Sequence, residues 1–212
     1  MIELIYPPVC GICNKITKKY ICENCEKKIE KYYINQIIDY RNNKKSYYDY
    51  QIKLLKYENI IREKIIDYKF NEKSYFYKTL EKIIINNKKI YGFMKNYDII
   101  IPVPMYKTKK WLRGYNQVEL IARELSKDLN IPLKCTTLTK IKDTKKQSSL
   151  TRAERKQNIK NAFIVKNASD IENKKILLFD DIITTGSTLN ECSKTLKKAK
   201  VKEVAILTIA VD

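Results

Sequence analysis

Apolar residues recur along the chain with two periods. From Leu54 to Ile85, the positions Ile60, Ile61, Ile65 and Tyr68, then Phe76, Leu80, Ile83 and Ile84, stand three or four residues apart on either side of a break near Asn71. That spacing predicts two helices with one buried face each. Val118, Ile121, Ala122, Leu125 and Leu129 predict an amphipathic helix over 115–129, and Leu189, Cys192, Leu196 and Ala199 another further on. Short apolar runs at Asp98–Val103, Leu133–Leu138, Ala162–Val165, Lys175–Phe179 and Val204–Ile209 have strand length. Strands alternating with helices predict an α/β fold with a mainly parallel sheet flanked by helices. Between Lys27 and Tyr57 the chain is rich in Lys, Asn and Tyr and lacks Gly and Pro, which predicts one or more helices there. No apolar run approaches membrane-spanning length, so membrane insertion is not expected, and no internal repeat is visible.

The densest chemistry follows the fourth of those strands. In the segment from Ile176 to Leu189, four apolar residues lead into Asp180 and Asp181, two more apolar residues, and then Thr184, Thr185, Gly186, Ser187 and Thr188. A β-branched and aromatic run of this kind suits a buried parallel strand. Gly186 lets the backbone approach a ligand, the hydroxyls donate hydrogen bonds, and the N–H groups at a helix start favour an anion such as phosphate. Carboxylates at the carboxyl end of a strand, where open α/β sheets bind ligands, accept hydrogen bonds from two vicinal hydroxyls. Together these read as a grip for a ribose with a 5′-phosphate. The plainer alternative is a capped strand–helix junction whose carboxylates are solvated or hold a metal. A chain with 4 Gly, without Gly-x-Gly-x-x-Gly and without a Walker lysine after the loop, is a poor match to nucleoside-triphosphate and dinucleotide loops.

Cysteine usage adds a second module. Cys10 and Cys13 form one Cys-x-x-Cys pair and Cys22 and Cys25 another. Two such knuckles present four thiolates, the donor set of tetrahedral structural Zn²⁺. Two disulfides would require a secreted protein, and residues 1–8 lack the basic end and apolar core of a signal peptide, so a cytoplasmic zinc module is the expectation. A segment this short cannot bury a core without its metal. The expected organisation is a zinc-ribbon module over 1–40 and an α/β domain over 41–212. Cys135, in a strand-like run, and Cys192, on an apolar helix face, read as small core residues. With no histidine in the chain, no Cys–His or Ser–His pair exists to act in catalysis.

Two further segments bear on binding. Ile101-Pro102-Val103-Pro104 stops a strand at the ligand edge, and Lys107, Lys109, Lys110 and Arg113 then lead into Gly114-Tyr115-Asn116-Gln117 at a helix start. This is a candidate cradle for a second anion, or an ordinary turn beside a solvated basic run. The polar, basic stretch from Thr144 to Asn158 has the length of a mobile flap, or is a solvated loop with a helix capped by Thr151 and Glu154. Lys and Arg total 43 against 24 Asp and Glu, a formal charge of +19. Such a charge attracts nucleic acid, with some of the 16 Tyr available for stacking, and is also the signature of an AT-rich genome.

The Asp180–Thr188 segment resembles the phosphoribosyl pyrophosphate (PRPP) motif of type I phosphoribosyltransferases, which implies that Asp180 and Asp181 hold the ribose hydroxyls while Thr184, Thr185, Gly186, Ser187 and Thr188 hold the 5′-phosphate. Over nearly its whole length the chain resembles the ComF family, also called ComFC. The four-cysteine module, Pro102 to Pro104, Arg113 to Gln117, and Gln147 with Leu150, Arg155 and Asn158 carry that resemblance; Tyr115 stands where Phe is commoner. It implies a type I phosphoribosyltransferase fold, Val103, Pro104 and Arg113 at the ligand, Mg²⁺ arriving with PRPP, and a role in natural transformation beside single-stranded DNA and a competence helicase of the ComFA type. Turnover is left open by an unidentified acceptor. The two other functions considered are a working phosphoribosyltransferase, with Arg113, Lys145, Lys146 or Arg155 neutralising developing charge, and a PRPP-responsive nucleic-acid regulator.

Overall fold

A computed structural model describes residues 7–70, 75–144 and 151–212. The elements run α1 (Glu23–Ile29), β1 (Tyr33–Asp39), β2 (Tyr50–Lys56), α2 (Asn59–Phe70), α3 (Phe76–Ile85), α4 (Lys88–Met94), β3 (Ile99–Pro102), α5 (Lys107–Arg113), α6 (Gln117–Leu129), β4 (Leu138–Lys140), α7 (Arg152–Ile159), β5 (Phe163–Val165), β6 (Lys175–Ile183), α8 (Ser187–Lys198) and β7 (Glu203–Val211).

Five strands form one sheet in the order β1-β2-β7-β6-β3. All neighbours are parallel except β1 and β2, whose antiparallel pairing closes one edge. Strand residues alternate between two covered faces, as a parallel sheet requires. Leu177, Phe179, Ala205, Leu207 and Ile209 pack beneath α2, α3, α4 and α6, while Ile176, Leu178, Val204 and Ile206 face α8 through Leu189, Cys192 and Leu196. The first cluster also takes in Cys10, Ile12, Ile21, Cys25 and Ile29, so the cysteine-bearing segment shares the core of the sheet.

The helices expected around Asn71, over 115–129 and after Gly186 are present as α2, α3, α6 and α8. The helical expectation for 27–57 is corrected. α1 ends at Ile29, and the segment continues as the hairpin strands β1 and β2, with β2 registered against β7 from Tyr50↔Ala205 to Lys56↔Val211. Ile and Tyr carry strand propensity, and burial of Ile52, Leu54 and Leu55 beside β7 outweighs the helix-compatible lysines. The run Leu133–Leu138 is also not one strand. Leu133 makes a single parallel bridge to Ile100, and Leu138 opens β4, which pairs antiparallel with β5 in a separate two-stranded sheet. β6 runs on through both carboxylates to Ile183, still registered against Ala210 and Val211. Among the described residues no helix is long and apolar enough to cross a membrane.

Candidate functional site

The β6–α8 junction forms a shallow cup of about 360 Å³, open to solvent and lined by Asp180 and residues 182–189. Gly186 sits at the N-cap of α8 with φ of +72°, a conformation an L side chain resists, and its carbonyl accepts from Asn190 N–H at 2.9 Å. The hydroxyls of Thr185 and Ser187 lie 3.0 Å apart, and the Thr185 oxygen also accepts from Ser187 N–H. Hydroxyls and the orphan N–H groups of a twelve-residue helix thus converge on one cup, the arrangement that binds phosphate.

The two carboxylates have different surroundings. Asp181 is buried and accepts from Lys69 Nζ at 2.9 Å, with the Lys69 side chain 21% and the Asp181 side chain 11% exposed. Burial works against the Lys69 charge, but Asp181 and then Asp180 outweigh it and hold its pKa above the ordinary value. Asp180 is half-buried, and desolvation followed by repulsion from Asp181 pushes its pKa up to about 7. Lys69 pulls against that shift, as do the Asp181 N–H bonded to its oxygen at 2.9 Å and Lys140.

Lys69 reaches the carboxylates because the Arg-Gly-Tyr-Asn-Gln segment locks α2 to the site. Gln117 Nε2 donates to the Lys69 carbonyl at 3.0 Å, the buried Tyr68 hydroxyl donates to the Gln117 carbonyl at 2.8 Å, and Arg113 donates to the Gln117 side chain. Asn116 caps α6 by accepting from Val118 N–H and donates to the Val103 carbonyl, both at 3.2 Å. Val103 N–H in turn donates to the Phe179 carbonyl at 2.8 Å, which sets the Pro-Val-Pro corner beside Asp180. The structure therefore gathers Asp180, Asp181, Val103 and Thr184 to Thr188, with Pro104 next along the corner, and joins Arg113 to the cluster through Gln117.

Three cations near this cluster were not singled out as a group from the sequence. Besides Lys69, both Lys109 and Lys140 point at Thr144, Lys109 donating to its carbonyl at 2.9 Å and Lys140 to its hydroxyl at 2.8 Å. Burial, and after it the facing Lys109, lower the pKa of Lys140, against the pull of Asp143 and Asp180. Arg155 donates to Thr184 Oγ1 at 3.2 Å from α7, whose Thr151–Glu154 capping box, the alternative to a flap in this stretch, is formed. Lys145, Lys146, Gln147 and Leu150 lie outside the described residues. Cys192 is fully buried and Cys135 half-buried, and burial raises both thiols, Cys135 to about 11 with help from Glu119.

At the other end of the chain, the sulfurs of Cys10, Cys13, Cys22 and Cys25 all lie within 4.8 Å of one another, those of Cys13 and Cys22 at 3.7 Å. The four could hold a metal ion. Burial opposes the Cys10 thiolate, but hydrogen bonds from the backbone at Cys22, Cys13 and Ile12 outweigh it and lower its pKa to about 7. Burial and the three neighbouring thiols push Cys25 the other way. The first knuckle is pressed against α3: Gly11 N–H donates to Thr79 Oγ1, which itself donates to the Tyr20 carbonyl at 2.7 Å. A Cβ on Gly11 would land on the Phe76 ring and 2.5 Å from Thr79 Oγ1. Gly11→Ala is therefore expected to destabilise the protein by at least about 1–3 kcal/mol through overpacking, read as a lower unfolding midpoint at unchanged metal content. An unaltered midpoint would show that the knuckle does not bear on α3.

Residues 118–212 match the phosphoribosyl transferase domain family. The chain is 42% identical over 114 residues to competence protein F of Haemophilus influenzae, covering 53% of this chain and 50% of that protein. It is 34% identical over 99 residues to the DNA utilization protein YhgH of Shigella flexneri, with 47% and 43% covered, and 31% identical over 115 residues to competence protein ComFC of Streptococcus pneumoniae, with 54% and 48% covered. The chain thus spans about half the length of the curated relatives it matches. The strand order and the matched domain give it the type I phosphoribosyltransferase fold.

Proposed function

We propose that this chain, similar to competence protein F and ComFC over about half of their length and matching a phosphoribosyl transferase domain over residues 118–212, is a ComF-type protein that acts in DNA uptake as a cytoplasmic competence protein, binds PRPP and handles incoming single-stranded DNA with a ComFA-type helicase. The observation that carries the PRPP reading is the cup, where Asp180 stands at one side of a hydroxyl-lined helix start. In this reading residues 184–188 would hold the 5′-phosphate and Asp180 and Asp181 the ribose hydroxyls, while Val103 and Pro104 would border the pyrophosphate and the Mg²⁺ expected to arrive with it. Lys109 and Lys140, held together at Thr144, supply positive charge there. Arg113 acts through Gln117.

In this reading the chain divides into a zinc module within 1–40 and the phosphoribosyltransferase-like domain of 41–212. The metal is structural Zn²⁺ on Cys10, Cys13, Cys22 and Cys25. A zinc–sulfur bond of about 2.3 Å in a tetrahedron sets neighbouring sulfurs about 3.8 Å apart, and Cys13 and Cys22 stand at 3.7 Å. The net charge of +19 supports the DNA reading through phosphate neutralisation.

Calorimetric titration with PRPP and Mg²⁺ tests the site. Binding to the full chain, and its loss in a folded variant carrying both Asp180→Asn and Asp181→Asn, is the expected result. Undiminished binding by that variant, or none by the parent, would remove PRPP from the reading. A second reading, transfer of the phosphoribosyl group to an acceptor, is favoured by Arg155 reaching Thr184 at the cup. Pyrophosphate release from PRPP with one of a panel of bases or amines is its test.

A further inference from the structure

α5 buries none of its residues. Trp111, the single tryptophan of the chain, is 82% exposed and Leu112 beside it 76%. Large apolar side chains are rarely so bare, and here four cations surround them within seven residues: Lys107, Lys109, Lys110 and Arg113. Lys109 faces Asp143 and Lys110 faces Glu119, so these two are partly neutralised. Lys107 has no ion-pair partner among the described residues, and it stands four positions before Trp111, hence one turn away on the same face.

From this arrangement we infer that α5 is a docking site for single-stranded nucleic acid, with a base stacked on the Trp111 indole and the adjoining phosphate on Lys107. An indole accepts any base on its face, and an ammonium one helical turn away meets the backbone of the same nucleotide. The helix cannot serve two copies of the chain equally well, because a symmetric contact would set its four cations against four more. The inference rests on the DNA-handling reading and assigns that reading a place. α5 leaves the same Pro-Val-Pro corner that borders Asp180, so a strand held on Trp111 runs beside the sugar-phosphate cup.

The lone tryptophan makes the site its own reporter. Titrating the full chain with a 15-residue oligothymidylate is expected to quench Trp111 emission, in step with the anisotropy of a labelled copy of the same strand. Trp111→Ala weakens binding by about 5- to 150-fold with an unchanged fold, and Trp111→Phe restores most of it. Lys107→Ala lowers the slope of log affinity against log salt by about 0.7. A 15-residue abasic deoxyribose-phosphate strand binds more weakly and leaves the emission unchanged. If the oligothymidylate binds by anisotropy while Trp111 emission and the Trp111→Ala affinity do not change, α5 is not the site although the DNA reading stands. Equal binding of the abasic strand would overturn stacking, and an emission shift with protein concentration alone would assign α5 to self-association. No binding of either strand would remove the DNA reading and this inference together.

Discussion

With structural zinc on the four cysteines as proposed, its removal by chelation or by Cys25→Ser is expected to produce the largest loss of stability of any single change to this protein. Structural zinc in small modules contributes about 10–16 kcal/mol of folding free energy, comparable to the whole stability of a domain. The module here cannot come undone in isolation, because Cys10, Ile12, Ile21, Cys25 and Ile29 are buried in one cluster with Phe76, Leu80 and Ile83 of α3. Without the ion, four thiols within 4.8 Å lose their common partner, and burial keeps Cys25 protonated. The N-terminal knuckles then open and leave the outer face of α3 wet. A loss of only 4 kcal/mol already lowers the midpoint of a chain this size by about 8–16 °C. Calorimetric unfolding with and without chelator, together with about one zinc per chain by elemental analysis, checks the expectation. A Cys25→Ser protein with unchanged midpoint and metal content would remove the metal from the account of the fold.

What the sequence made legible follows from how local each signal is. The helix faces of α2, α3, α6 and α8 and the buried strands β3, β6 and β7 rest on runs within one element, and the pattern placed them. The β1–β2 hairpin was misread as helix because its decisive partner is β7, about 155 residues away, and no local spacing announces that contact. The candidate site divides along the same line. Asp180 to Thr188 and the cysteine knuckles are contiguous motifs, whereas Lys69 meets Asp181 across 112 residues of sequence. Asn116 and Gln117, visible in the sequence as part of a motif, prove to be ties between elements, one to Val103 and one to Lys69. Lys140 looked like one more surface lysine in a chain carrying 43 cations, and its burial together with the approach of Lys109 to the same threonine distinguishes it.

Adjacent substitutions in the carboxylate pair are expected to move stability in opposite directions. Asp180 is the strained member: its pKa of about 7 lies above the ordinary 3.8, so the folded chain binds more protons than the unfolded one between about pH 4 and 7. The contribution of this carboxyl to stability therefore falls as pH rises through that window, at up to about 1.4 kcal/mol for each pH unit. Asp180→Asn removes the penalty. It is expected to raise stability by about 2–4 kcal/mol at pH 8, to leave it nearly unchanged at pH 4, and to weaken the proposed PRPP binding at pH 8, where the carboxylate is ionised. Asp181→Asn instead strips Lys69 of the carboxylate it touches at 2.9 Å. A lost hydrogen bond between charged groups costs about 1.5–3 kcal/mol. The full penalty of about 3–5 kcal/mol for an orphaned buried charge is not reached, because Asp180 remains beside Lys69 and ionises more readily once Asp181 is neutral. Thermal unfolding of the two single variants at pH 4 and pH 8 separates these effects. A lower midpoint for Asp180→Asn at pH 8, or an unmoved one for Asp181→Asn, would show that the pair is not divided between a strained carboxylate and an anchored partner. The opposed signs have one physical source: the site holds two carboxylates side by side and neutralises only one of them, which leaves Asp180 to ionise above about pH 7 at a stability cost.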